Sequence, residues 1–123
     1  MILGLGNDIV EIERVREAIS THGERFLNRL FTPQEQAYCS EHSDTAPHYA
    51  ARFSAKESVV KALGSGFGEH AAFLDIEIVN NPQGKPEVLL SDKLKKQFNN
   101  QQILLSISHC KAYVSTVAVW LKS

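Results

Sequence analysis

Asp8 stands inside the apolar run GLGNDIV, and Glu57 stands inside RFSAKESVVKAL, four positions before Lys61. A carboxylate in a run that reads as a strand is costly to bury unless it is paired or bound to a metal; otherwise it sits on a solvent-facing position. Phe53, Val60 and Gly64 fall at helical spacings that share the side of Glu57, so Glu57 can face a sheet. The competing arrangement is an exposed i,i+4 pair between Glu57 and Lys61, worth a few tenths of a kcal/mol. Two carboxylates from separate elements, with positions left open for water and phosphate oxygens, are a usual way of holding Mg²⁺.

Three further features bear on an anion. Lys61 is followed by Gly64, Ser65 and Gly66, small residues that let backbone N–H groups come close to a phosphate. Anion sites favour helix N-termini, however, and this Gly-Ser-Gly ends a helix, where a glycine C-cap is the simpler account. The GxxxxGK[ST] pattern of a P-loop is absent. His109 closes the run LLSISH and can bond a phosphate, move a proton or cap a turn. Arg14, Arg16, Arg25 and Arg29 punctuate the early helical region among glutamates, either as solvated charges or as a basic stripe for an acidic partner.

The elements that must position these residues follow from periodicity. Residues 2–10 are apolar, β-branched and carry two glycines, which predicts a buried strand approached closely by another backbone. A helical pattern runs over 12–30 with a break at Gly23, and Thr32-Pro33 with Glu35 signals the start of a short helix to about residue 41. The longest helix is predicted over 46–63, stopped by Gly64. Residues 73–79 alternate as a strand, NNPQGKP connects a hairpin, and Ser91 and Asp92 can cap a short helix. Runs 103–108 and 113–120 are predicted to pair as an antiparallel hairpin. This order gives an α+β domain with helices packed on an antiparallel sheet.

The 123 residues are expected to form one domain, 1–123. A 43% hydrophobic share and apolar runs far shorter than about 20 residues exclude a membrane span. Thirteen basic against fourteen acidic residues argue against a nucleic-acid coat, so any anion must be held locally. Asp8 and Glu11 come too early for a secretory signal, and a cytoplasmic protein is expected. Cys39 and Cys110 lack metal or disulfide spacing and read as free thiols.

In their order, GLGNDIVEIERV, FTPQE, ARFSAKESVVKALGSG, GKPEV and LLSISH resemble the holo-acyl-carrier-protein synthase family, the small single-repeat 4′-phosphopantetheinyl transferases. The resemblance runs from residue 3 to about 119. It implies transfer of 4′-phosphopantetheine from coenzyme A to a serine of an apo acyl carrier protein, releasing adenosine 3′,5′-bisphosphate, in fatty acid biosynthesis. By the same resemblance Asp8 and Glu57 hold Mg²⁺, Lys61 lies near the pyrophosphate, and Gly64, Ser65 and Gly66 pass close to coenzyme A. Arg52, His109 and the turn Gly84, Lys85 and Pro86 are expected around the nucleotide. The family implies a homotrimer with sites between subunits and an acidic carrier docked on Arg14, Arg25 and Arg29.

Chemistry makes those roles coherent. As the carrier serine attacks phosphorus, charge grows on the bridging oxygen of the leaving bisphosphate, where a divalent cation and Lys61 offset it. Glu57 is the first choice to take the serine proton, directly or through water, with His109 second. One departure stands out: the family commonly has Glu or Asp after this histidine, and here the residue is Cys110. Two other classes fit the same carboxylates, a Mg²⁺-dependent phosphohydrolase and a coenzyme A sensing module without turnover.

Overall fold

The computed structural model describes residues 1–64, 72–99 and 102–122. Strand β1 (Ile2–Glu11) leads into helices α1 (Ile12–His22), α2 (Glu24–Leu30), α3 (Pro33–Ser40) and α4 (Ala46–Leu63). A 3-10 turn (Phe73–Asp75), the hairpin β2 (Ile76–Asn80) and β3 (Pro86–Leu90), helix α5 (Asp92–Gln97), and the strands β4 (Gln102–His109) and β5 (Tyr113–Leu121) follow. The predicted break falls at Gly23, whose φ of 55° ends α1 and whose carbonyl opens α2. Among the described residues no helix is long and apolar enough to cross a membrane.

All described strand pairs are antiparallel, but they form two sheets, β1-β5-β4 and β2-β3, where sequence reasoning gave one. Between the β3 and β4 edges lies a cleft of about 330 Å³, lined by Lys85, Pro86 and Glu87 on one side and residues 102–105 on the other. The run expected as a strand over 73–79 begins as a 3-10 turn, because the Asp75 carboxylate folds back to accept the Ala72 N–H at 2.9 Å.

The expectation of a buried β1 is half corrected. Its α4 side is closely covered: a Cβ on Gly4 would lie 1.9 Å from the Ala62 carbonyl oxygen, and one on Gly6 would lie 2.0 Å from that of Ser58. No side chain larger than hydrogen fits there. Among the described residues the opposite side carries no second layer, and Leu5 and Ile9 are 67% and 66% exposed.

Helix α4 is enclosed on most sides, so several of its polar residues are buried rather than solvated. Ser54 and Ser58 bond the Thr116 hydroxyl of β5, and Ser58 also donates to the Thr116 carbonyl at 3.1 Å. Lys56 is fully buried, and its ammonium donates to Glu35 Oε1 at 2.7 Å, the Leu30 carbonyl at 2.7 Å and the Phe73 carbonyl at 3.0 Å. Glu35 closes the network. It completes a capping box with Thr32 at the predicted start of α3 and accepts the Ile78 N–H of β2 at 2.9 Å. Burial draws the Lys56 proton affinity down, and the Glu35 charge opposes that.

Removing one partner of such a pair strands the other charge in the core. Lys56→Met is therefore expected to cost about 3–5 kcal/mol in urea unfolding, more than Lys85→Met on the exposed hairpin turn. A loss below about 1 kcal/mol would show that Glu35 finds another partner or water.

Candidate active site

The close β1–α4 contact sets the first group of residues. Asp8 lies two positions beyond Gly6 and opposite Thr116, so its side chain shares the α4 face of the sheet. Lys61 reaches across from α4: its Nζ donates to the Asn7 carbonyl at 3.0 Å and to Asp8 Oδ1 at 3.2 Å. The Asp8 side chain is only 14% exposed. Glu57 stands one turn before Lys61, and burial first, then the negative charge of Asp8, pushes its carboxyl above the usual range, with Lys61 acting in the opposite sense. Asp8, Glu57 and Lys61 therefore lie together, where spacing alone left an exposed Glu57–Lys61 pair equally open.

Two carboxylates that repel each other, in a partly enclosed recess, suit a hard divalent cation. Among the described residues no group of three or more His, Cys, Asp or Glu could hold a metal. Two protein oxygens fit Mg²⁺, which keeps several waters and takes substrate phosphate oxygens for the rest. The residues that would hold it are Asp8 and Glu57.

Gly64 caps α4 in the left-handed conformation, with φ 75°, and its N–H is bonded to the Val60 and Lys61 carbonyls. That amide is engaged in ending the helix, as the simpler account required. Ser65 and Gly66 lie outside the described residues.

A second group gathers on another side of α4. Arg52 is nine positions before Lys61, which at 3.6 residues per turn places it about 180° around the helix axis. It is 4% exposed, and its guanidinium lies 4.0 Å over the Tyr38 ring. Its Nη2 donates to Asn80 Oδ1 at 3.4 Å, at the end of β2 opposite Pro86. Gly84, with φ 84°, makes the turn, and the Asn81 side chain accepts the Gln83 and Lys85 N–H groups. Arg52 and the Gly84–Lys85–Pro86 turn are thus neighbours. His109 ends β4 opposite Val114, and its charge is felt by His48, whose proton affinity is drawn down mainly by burial, then by His42, Arg52 and His109. Within one chain His109 therefore lies toward the Arg52 side.

Arg52 forms no ion pair with a carboxylate among the described residues, and its Nε is buried without a hydrogen-bond partner. A buried guanidinium lacking a counter-charge is where an anion belongs. Arg14, Arg25 and Arg29 are exposed, Arg14 pairing with Glu11 at 3.4 Å. Arg16 is committed to Asp44 by two bonds, at 2.6 and 3.2 Å. Cys39 is a buried free thiol that burial pushes up to about 12, and Cys110 is an exposed free thiol beside His109. Sequence reasoning did not single out Tyr38 or Asn80. Neither carries a periodic or motif signal, and only the fold brings them to Arg52.

A profile of the 4′-phosphopantetheinyl transferase superfamily matches residues 4–118, and the chain belongs to that family. Within it, the chain is 52% identical over 120 residues to the holo-[acyl-carrier-protein] synthase of Protochlamydia amoebophila, covering 98% of each chain. The crystal structure of holo-[acyl-carrier-protein] synthase from Neisseria meningitidis matches with a TM-score of 0.92 at 31% identity, over 99% of this chain and 100% of that one. The Helicobacter pylori holo-[acyl-carrier-protein] synthase in complex with coenzyme A matches with a TM-score of 0.86 at 34% identity, over 95% and 99%.

The raised Glu57 carboxyl has a consequence for stability. The folded chain holds that proton more tightly than the unfolded chain, so the contribution of Glu57 declines as pH rises from the ordinary carboxylate range through the raised value. Glu57→Gln is expected to raise the melting temperature in EDTA at pH 7.5, and the gain should vanish at about pH 4, where the parent is protonated in both states. An equal gain at both pH values would assign the effect to packing instead.

Proposed function

We propose that this chain transfers 4′-phosphopantetheine from coenzyme A to a serine of an apo acyl carrier protein, as a cytosolic enzyme of fatty acid biosynthesis. The observation that carries this reading is the convergence of Asp8, Glu57 and Lys61 across the glycine-lined β1–α4 contact. The relatives named above are holo-[acyl-carrier-protein] synthases, and one is seen with coenzyme A, which supports the same substrate here.

In this mechanism the serine oxygen forms a bond to the pantetheine-side phosphorus. The bond from that phosphorus to the bridging oxygen breaks, and adenosine 3′,5′-bisphosphate leaves with the electron pair. Asp8 and Glu57 would hold a Mg²⁺, which would supply charge neutralisation at the pyrophosphate. Lys61, tethered to β1 through Asn7 and Asp8, presents its ammonium toward the same charge. Glu57 takes the serine proton, directly or through a water, with His109 as the alternative base. Arg52, His109, Gly84, Lys85 and Pro86 hold the nucleotide, and Gly64 to Gly66 border it. Arg14, Arg25 and Arg29 receive the acidic carrier.

The two groups face different sides of α4, and this supports an active site completed between subunits. The bare sheet face supports the homotrimer: Leu5, Ile9, Leu104 and Val117 all lie on the side away from α4 and are exposed. In the proposed assembly that face is the contact, and each site combines the Asp8 group of one subunit with the Arg52 group of the next. Residues 1–123 act as one domain.

Intact mass of an apo acyl carrier protein tests the activity. Incubation with coenzyme A and Mg²⁺ is expected to add about 340 Da, the phosphopantetheine moved in the phosphoryl transfer, and the gain should disappear with EDTA, Asp8→Ala or Glu57→Ala. Free phosphopantetheine or phosphate released without a carrier would instead identify a hydrolase, and binding without turnover a sensor. For the assembly, light scattering should give three times the 13.7 kDa chain mass, and Ile9→Glu should yield inactive monomers. A fully active monomer would overturn the shared site.

A further inference from the structure

We infer that Tyr38 is a positioning residue for Arg52 and thereby sets the affinity for the phosphate-bearing nucleotide. The inference rests on the proposed reading in which Arg52 meets an anionic group of coenzyme A. Arg52 is an arginine with a problem of orientation: a long side chain with many rotamers, buried, with no carboxylate among the described residues to fix it. Three contacts replace the missing ion pair. The guanidinium lies 4.0 Å over the Tyr38 ring. Its Nη2 donates to Asn80 Oδ1, and Asn80 Nδ2 in turn donates to the Tyr38 hydroxyl oxygen at 3.2 Å, so the three side chains form a closed triangle.

Tyr38 is itself braced. Its ring meets the His42 ring at 5.2 Å and 59° and the His48 ring at 6.1 Å and 77°, while the two imidazoles stack at 3.6 Å and 21°. His48 lies four residues before Arg52 on the same side of α4, so the aromatic wall and the guanidinium share one helix register. The ring face attracts the cation without neutralising it, unlike a carboxylate. Arg52 is therefore held in one orientation with its charge uncancelled, and its buried Nε is left without a partner among the described residues. A carboxylate in the place of Tyr38 would hold the arginine equally well but would cancel the charge that the ligand needs.

The test compares Tyr38→Leu, Tyr38→Phe, Arg52→Ala and the double variant Tyr38→Leu/Arg52→Ala. Calorimetric titration of coenzyme A is run beside KM and kcat, with melting temperatures recorded for each. Tyr38→Leu is expected to raise both Kd and KM for coenzyme A about tenfold, leaving kcat and the KM for the carrier within about twofold, while Tyr38→Phe keeps the ring and stays near the parent. Because Tyr38 acts through Arg52, the double variant should bind no more weakly than Arg52→Ala alone. Tyr38→Gln, which keeps bulk without a ring, repeats the measurement should the leucine variant melt early. The inference is overturned if Arg52→Ala weakens coenzyme A while Tyr38→Leu does not, or if the two effects multiply. An Arg52→Ala chain that binds coenzyme A normally would overturn the underlying role of Arg52 as well. Transfer activity that is absent while binding still depends on Arg52 and Tyr38 would reject the transferase reading and leave this one standing.

Discussion

The orientation of helix α4 hangs on one buried ion pair. An ammonium taken out of water is tolerated only when its protons and its charge are both answered, and Lys56 has three acceptors, one of them the Glu35 carboxylate. Those acceptors come from the end of α2, from α3 and from the 3-10 turn, and Glu35 extends the set to β2. Fixing Lys56 toward this corner fixes the rotation of the whole helix. Arg52, one turn earlier, must then point to nearly the same side, toward Tyr38 and Asn80. Glu57 is turned about 100° away by the helical period, toward the recess beside β1.

The glycines of β1 complete that geometry. Gly4 and Gly6 allow helix backbone where a side chain would otherwise stand, and this brings the Lys61 ammonium within reach of Asp8. What results is a deliberate imbalance of charge. On one side of α4 two carboxylates share a single nearby lysine, and the proton affinity of Glu57 registers the excess negative charge. On the other side a buried arginine has no carboxylate among the described residues. Each arrangement costs stability in the isolated chain, and each would be relieved by a partner of opposite sign.

Much of this was legible in the chain itself. Helix α4 was readable to both ends as an unbroken helical stretch stopped by Gly64, whereas spacing left Glu57 open between facing the sheet and pairing with Lys61, and only the family resemblance joined it to Asp8. The glycines of β1 announced a close backbone approach. The Lys56–Glu35 pair was not legible, since its partners are 21 residues apart and each had an ordinary local explanation, a helix lysine and a capping-box glutamate. Nor could periodicity show that β1 has one bare side, because exposed Leu5 and Ile9 look in sequence like core. The split into two sheets escaped for a related reason: strand propensity identifies β3 and β4 but says nothing about whether their edges meet.

The bare sheet side and the divided polar groups are connected by geometry. A helix layer covers one face of β1-β5-β4, and among the described residues the other face leaves Leu5, Ile9, Leu104 and Val117 exposed. Apolar side chains there are stable in water only if another surface covers them, and further copies of the same chain are the simplest source. In the assembly proposed above, packing copies by that face would let opposite sides of neighbouring α4 helices look toward each other across the boundary. An acidic recess from one copy and an arginine without a carboxylate partner among the described residues of the next would then face one phosphate-bearing ligand. On the proposed reading the exposed apolar strand residues and the unbalanced charges have one cause, a ligand that would span more surface than one copy presents.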